Sequence, residues 1–250
     1  MPCNLDKQQD SENLHIMMSF ENDRERLLKN RTMIRKKIIQ CIKNNGFTQK
    51  GRSTFYMINE DIVGFFVLEH PSNRMYISFC IYPLFMPPMQ YIHLMFSKRI
   101  STVLSDSNLN ISDYISEEQL KASCVKIDNY IKTRVLPFIA GVNTSEKLVN
   151  TINLKNNFFN TIIAASIENK YKMKMYTELS LHAYSDAIDS ANTFLALSDS
   201  PRYTDNVRSS DIDEYQNFIA LAQTRNDVHI DGIITEWKKQ NMEFFTGKRS

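Results

Sequence analysis

Glycine and proline are scarce in this chain of 250 residues: it has 6 and 7 of them, with one tryptophan and four cysteines. That scarcity excludes a collagen-like, low-complexity or loop-dominated protein. The cysteines, Cys3, Cys41, Cys80 and Cys124, form no C-x-x-C pair. The spacing of a zinc site is therefore missing, and a disulfide framework is not expected. Cys41 and Cys80 lie inside apolar runs, as buried thiols do. No apolar run approaches the roughly 20 residues that cross a bilayer. The opening "MPCNLDKQQDSENLH" has no apolar core of a secretory signal. The expectation is a cytoplasmic protein with no membrane partner, in which the sequons "NRT", "NIS" and "NTS" carry no meaning.

Catalytic motifs are missing as well. The chain has no G-x-x-x-x-G-K-[ST] to cradle phosphates, and no G-x-G-x-x-G, G-x-S-x-G or H-E-x-x-H. Its five histidines, His15, His70, His93, His182 and His229, include no i,i+4 pair, and His93 reads as a packed or surface residue of a strand-like run. No cofactor and no metal are expected. Two Glu-x-Lys triplets, Glu168 to Lys170 and Glu236 to Lys238, stand in helical text, whereas a metal-dependent nuclease needs such a triplet on a strand.

What is present is enough for a real core: 42% of the residues are hydrophobic and 11% aromatic. The net charge is only +2, but it is unevenly spread. Glu21 to Arg52 holds ten Lys/Arg against three Asp/Glu, so the rest of the chain is slightly acidic. Such asymmetry points to a negatively charged partner or, more plainly, to a solvated helix face.

Residues 1–19 are polar and aperiodic and read as a flexible arm. From about Glu21 to Asn45 the apolar residues Leu27, Ile34, Ile38, Cys41 and Ile42 recur at helical spacing. Gly46 suits the position just past the helix end. Arg24, Arg31 and Arg35 share the apolar stripe. They overhang the core, pair with buried acids or face a ligand. Three strand-like segments follow: "TFYMI", "IVGFFVL" and "MYISFCIYP". The second is apolar on both faces, like a central strand covered twice. The third alternates Met75, Ile77, Phe79 and Ile81 against Tyr76, Ser78, Cys80 and Tyr82. "YIHLMF" offers a fourth strand.

Ser116 and Gln119 form a capping-box pattern that opens a helix to about Arg134, with Pro137 bending or ending it. Asn143 or Thr144 caps a short helix after it. Beyond that the text is helical: 157–168, a long run over 170–197, 210–223 and 228–245. The fold class is α+β: an N-terminal helix on a small antiparallel sheet of three or four strands, then a helical C-terminal half. The expected domains are the α+β unit at 20–153 and a helical unit at 154–250.

Two candidate sites emerge. One is a basic surface of Arg31, Arg35, Lys36, Lys50 and Arg52 with the aromatics Tyr56 and Tyr76 nearby. It suits an acidic face on a protein partner. Stacking on aromatics with phosphate neutralisation makes nucleic acid the alternative partner. A homo-oligomer stays open. The other site is "RNDVH", where Arg225 and His229 are similar to the Arg and His of helical ribonucleases of the HEPN type. There the His acts as acid and base and the Arg holds the scissile phosphate. Here three residues separate the two instead of at least four. The plainer reading makes Asn226 or Asp227 the cap of a helix carrying Ile230, Ile233, Ile234 and Trp237.

The stretch "IKNNGFTQKGRSTFYMINEDIVGFFVLEH" resembles the opening of a bacterial family, domain of unknown function 4304, in which a helix ends in "GF" before a basic entry to the first strand. "MYISFCIYP" and "FSKRIST" are similar to its later strand and its short "R-I-G" segment. "YIKTRVLPFIAGVNTSEKL" is similar to its helix ending, with Phe138 where that family often has Trp. The resemblance covers residues 22 to about 152 and leaves the helical C-terminal part outside it. It implies an α+β domain in a bacterial or phage setting and no chemistry. Small domains of this kind often serve as accessory or immunity-like partners in conflict systems. The expected function is therefore a non-enzymatic protein-interaction component of such a defence system, with a nucleic-acid-binding or ribonuclease component as the alternative.

Overall fold

A computed structural model describes residues 5–92, 96–103, 106, 109–153, 167–198 and 209–247. Helix α1 runs Leu5–Asn44. The helix thus begins within the segment expected to be an arm. It ends as its sequence dictates. Gly46 adopts a left-handed φ of 88°, and its N–H reaches the Lys43 carbonyl at 3.0 Å.

The chain then forms an antiparallel meander, β1 (Thr48–Lys50), β2 (Thr54–Asn59), β3 (Ile62–Glu69) and β4 (Arg74–Pro83), with β5 (Ser97–Arg99) on the far side of β4. Helix α2 (Ile100–Val103) follows, and β6 (Ile111–Ser112) pairs with the start of β4 through Met75 and Ile111. The fourth strand expected at "YIHLMF" lies partly outside the described residues; the strand that pairs with Ser78–Cys80 is Ser97–Arg99.

β3 is the central strand, buried on both faces, which accounts for its unbroken apolar run. One face, with Phe55, Ile62, Phe66, Ile77 and Phe79, packs on Ile34, Ile38 and Ile42 of α1. Gly64 sits on that face because the helical segment carrying Ile139 approaches it closely. A Cβ there would lie 2.4 Å from Ile139 Cδ1. The other face, with Val63, Phe65 and Cys80, is covered by Leu84, Met89 and Phe245.

Helix α3 (Glu117–Tyr130) starts at the expected capping box: Gln119 N–H donates to Ser116 Oγ at 3.2 Å, and Gln119 Oε1 accepts from Ser116 N–H at 2.9 Å. Pro137 does not end the helical path. A π-helical turn at Ile131–Val135, closed by Leu136 N–H to the Ile131 carbonyl, leads into α4 (Leu136–Gly141). Proline brings no N–H and crowds the carbonyl four residues back, and the widened turn absorbs both. Helix α5 (Ser145–Asn153) follows, with Thr144 Oγ1 accepting from Lys147 N–H at 3.4 Å.

The remaining described helices are α6 (Ile167–Ser180), α7 (Tyr184–Ser198), α8 (Ser209–Gln223) and α9 (Asp227–Thr246). The single run expected over 170–197 is thus two helices. The chain turns at His182, which holds a left-handed φ of 57°, while the Glu178 carbonyl accepts from both Leu181 and Ala183 N–H. Histidine tolerates that conformation better than β-branched residues do. Most of the segment 157–168 and of the loop after Ser198 lies outside the described residues.

The boundary expected at 153/154 falls next to residues that are not described, and buried apolar residues before and after it belong to one cluster. One apolar cluster runs from Ile34 through Phe66 and Ile139 to Leu179, Phe194, Tyr215 and Ile230. The last helix folds back on the sheet. Asn241, fully buried, donates to the Leu84 and Met86 carbonyls and accepts from Met89 N–H, each at 2.9 Å. Among the described residues no helix is long and apolar enough to cross a membrane.

Candidate functional site

The basic segment divides into cations used inside the fold and cations left facing water. Arg31 projects from α1 toward the end of β6. Its Nε and Nη2 reach Asp113 Oδ2 at 3.1 and 2.8 Å, and Nη2 also donates to the Ser72 carbonyl. The carboxyl of Asp113 is 1% exposed, and its other oxygen meets His70 Nε2 at 2.9 Å. Asn30 donates to the Asp113 backbone carbonyl. Of the three roles open to the arginine stripe, Arg31 takes the pairing with a buried acid. Such an acid requires partners on both oxygens, because an isolated buried charge is very costly.

Arg35 donates to the Arg52 carbonyl and so closes the turn at Gly51. Lys50 lies over the Phe244 ring, 3.6 Å from its centroid, so the edge strand grips the end of α9. Burial lowers the pKa of Lys50. Tyr56 packs beside Phe245 at 5.7 Å, and Tyr76 carries the Arg99 guanidinium at 4.1 Å. Of the seven residues singled out in the sequence, Lys36 and Arg52 are exposed and the other five are partly buried. The aromatics near the basic turn are packing surfaces.

Lys36 belongs to a different pattern. Lys29, Lys36 and Lys43 are all exposed, spaced seven apart on α1. Seven residues make nearly two turns, so the three form one stripe about 21 Å long. It points away from Ile34, Ile38 and Ile42, which face the sheet. None of the three lysines has an acidic partner among the described residues, whereas Lys37, Lys126, Lys132, Lys172, Lys174 and Lys238 each pair with a carboxylate.

At "RNDVH" the capping role is observed. Asn226 Oδ1 accepts from His229 N–H at 3.1 Å, and Arg225 takes the left-handed φ of 48° that precedes the helix. The side chains of Arg225 and His229 are exposed and do not bond to each other. The acids of this helix start are used elsewhere: Asp227 accepts from Tyr184 OH at 2.5 Å and Asp231 meets His182 Nε2 at 2.8 Å. Both Glu-x-Lys triplets lie on helices, and Lys238 pairs with Asp61. His93 lies outside the described residues. Among the described residues no group of three His, Cys, Asp or Glu comes together as a metal site would.

Among the described residues, the thiols of Cys41 and Cys80 are buried and that of Cys124 is half-buried. Burial pushes Cys41 up to about 12 and raises Cys80 and Cys124. Cys41 donates to the Cys124 carbonyl at 3.5 Å, between α1 and α3. The polar groups that sequence reasoning missed are Asp113, His70, Lys172, Glu214 and Asn241. Their partners lie 38 to 157 residues away, so spacing along the chain carries no trace of them. No protein-family model, no curated protein and no solved structure matches this chain.

Proposed function

We propose that this chain is a non-enzymatic protein-interaction module of the accessory or immunity-like kind, and that it docks an acidic partner on the outer face of α1. One observation carries the reading: Lys29, Lys36 and Lys43 form a continuous exposed stripe on one face of α1 without acidic partners among the described residues, whereas Lys37, Lys172 and Lys238 pair with carboxylates. The core needs nothing from these lysines, whose side chains all lie in water. An acidic surface offers them the missing counter-charges and steers the encounter.

The ionisable clusters support a role without catalysis. Arg31–Asp113–His70 ties α1 to the sheet, Lys172–Glu214–Tyr176 ties α6 to α8, and Tyr184–Asp227 ties α7 to α9. The test is association measured from low to high salt, on material captured with and without nuclease. A protein partner survives nuclease and shows a gentle salt slope. Loss on nuclease, with a slope of several ions released, assigns the stripe to nucleic acid and overturns the reading.

A further inference from the structure

The loop after β4 meets α6 and α8 around a cavity of about 230 Å3. Tyr82, Met86, Pro87 and Met89 form its apolar side, and Lys172 and Glu214 its polar side. Lys172 Nζ lies 2.7 Å from Glu214 Oε2, and the lysine side chain is only 18% exposed. Tyr176 OH donates to Glu214 Oε1 at 2.8 Å. An ammonium has three donors, and Lys172 uses one of them in this pair. Each Glu214 oxygen holds one donor and keeps a second lone pair. The cavity therefore presents unspent donors and acceptors side by side at a partly buried pair, with the Glu214 side chain 32% exposed.

We propose that this cavity binds a small apolar α-amino acid. Its carboxylate accepts from the remaining N–H groups of Lys172. Its ammonium donates to the remaining lone pairs of Glu214, and its side chain lies among Met86, Met89 and Tyr82. Charge balance selects the class. The ion pair is neutral as a unit, so a ligand of one sign leaves an uncompensated charge in a half-buried site, whereas a zwitterion does not. Methionine and proline walls accept side chains of varied shape, which fits a site for branched, thioether or aromatic amino acids. The site stands on α6, α8 and the loop, and is independent of the lysine stripe on α1.

The test is titration of the full chain with L-leucine, L-methionine and L-phenylalanine, read by calorimetry and by the emission of Trp237. That ring packs 5.7 Å from Tyr176 and so reports on Glu214's partner. The expected result is saturable binding of at least one amino acid, with its own deaminated and decarboxylated analogues (for leucine, isocaproate and isoamylamine) at least tenfold weaker. Lys172→Met with Glu214→Gln removes both charges and should abolish binding. If that variant does not fold, Pro88→Phe, which enlarges a half-buried lining residue and leaves the ion pair intact, should weaken binding at least tenfold. No saturable binding by any of the three, equal binding of an analogue, or binding unchanged in the folded variant overturns the proposal.

Discussion

Arg31 and Asp113 meet across 82 positions of sequence, with two guanidinium nitrogens on one carboxylate oxygen at 3.1 and 2.8 Å. The acid is buried and the arginine side chain is 39% exposed, so the two contribute unequally. Removing the arginine strands a buried carboxylate beside His70 alone. Arg31→Met should cost roughly 3 kcal/mol, the low end for a broken buried pair, because the arginine is partly in water. The double variant Arg31→Met, Asp113→Leu should recover part of that loss. Denaturant midpoints check both, and a single-variant loss under about 0.5 kcal/mol would mean that water already satisfies Asp113.

Asn241 joins the last helix to the loop after β4 by three hydrogen bonds, all buried. In Asn241→Leu, two carbonyls and one N–H lose their partners inside the protein. The expected destabilisation is about 3 kcal/mol or more, since each buried orphan costs roughly 1–3 kcal/mol. Hydrogen exchange should show faster opening at Met89 N–H than at the central strand. Unchanged protection at Met89 would contradict this.

Glu178 is 4% exposed, accepts from Ser190 Oγ at 2.6 Å and meets Lys174 at 3.1 Å. Burial raises its pKa above the ordinary 4.5, against the lowering pull of Ser190 and Lys174. The folded state thus favours the protonated carboxyl. Its contribution to stability is fully present below 4.5 and is lost as pH rises through the raised value. Glu178→Gln removes that dependence. Its stability relative to the native chain should rise with pH across this window and then level off. A relative stability that falls with pH would show that the Lys174 pair outweighs burial.

The fold was legible where local chemistry decides. The helix end at Gly46, the capping box at Ser116 and the alternation of β4 follow from short-range geometry, and the structure keeps all three. The doubly apolar "IVGFFVL" foretold a strand covered on both faces, but not that its Gly64 admits Ile139. The break at His182 went unread because no glycine or proline marks it and the turn is made by a histidine in the left-handed region. The site was legible only in part. The arginine stripe on α1 raised pairing with buried acids, and Asp113 supplies one. Composition located the positive charge without saying which lysines the fold consumes. Lys50 under Phe244, and Lys29 and Lys43 beside Lys36, are distinguished by packing over long sequence distances.

The central claim is that the outer face of α1 docks an acidic protein. The direct measurement is recovery of partners from the native host by the full chain and by its Lys29→Glu, Lys36→Glu, Lys43→Glu variant, after nuclease treatment. All three side chains are exposed, so the variant should keep the native chain's stability within about 1.5 kcal/mol, the usual range for a surface substitution taken three times. The account predicts one stoichiometric protein with the native chain and about a tenfold or greater loss with the variant. Equal recovery of that protein by both chains would contradict it.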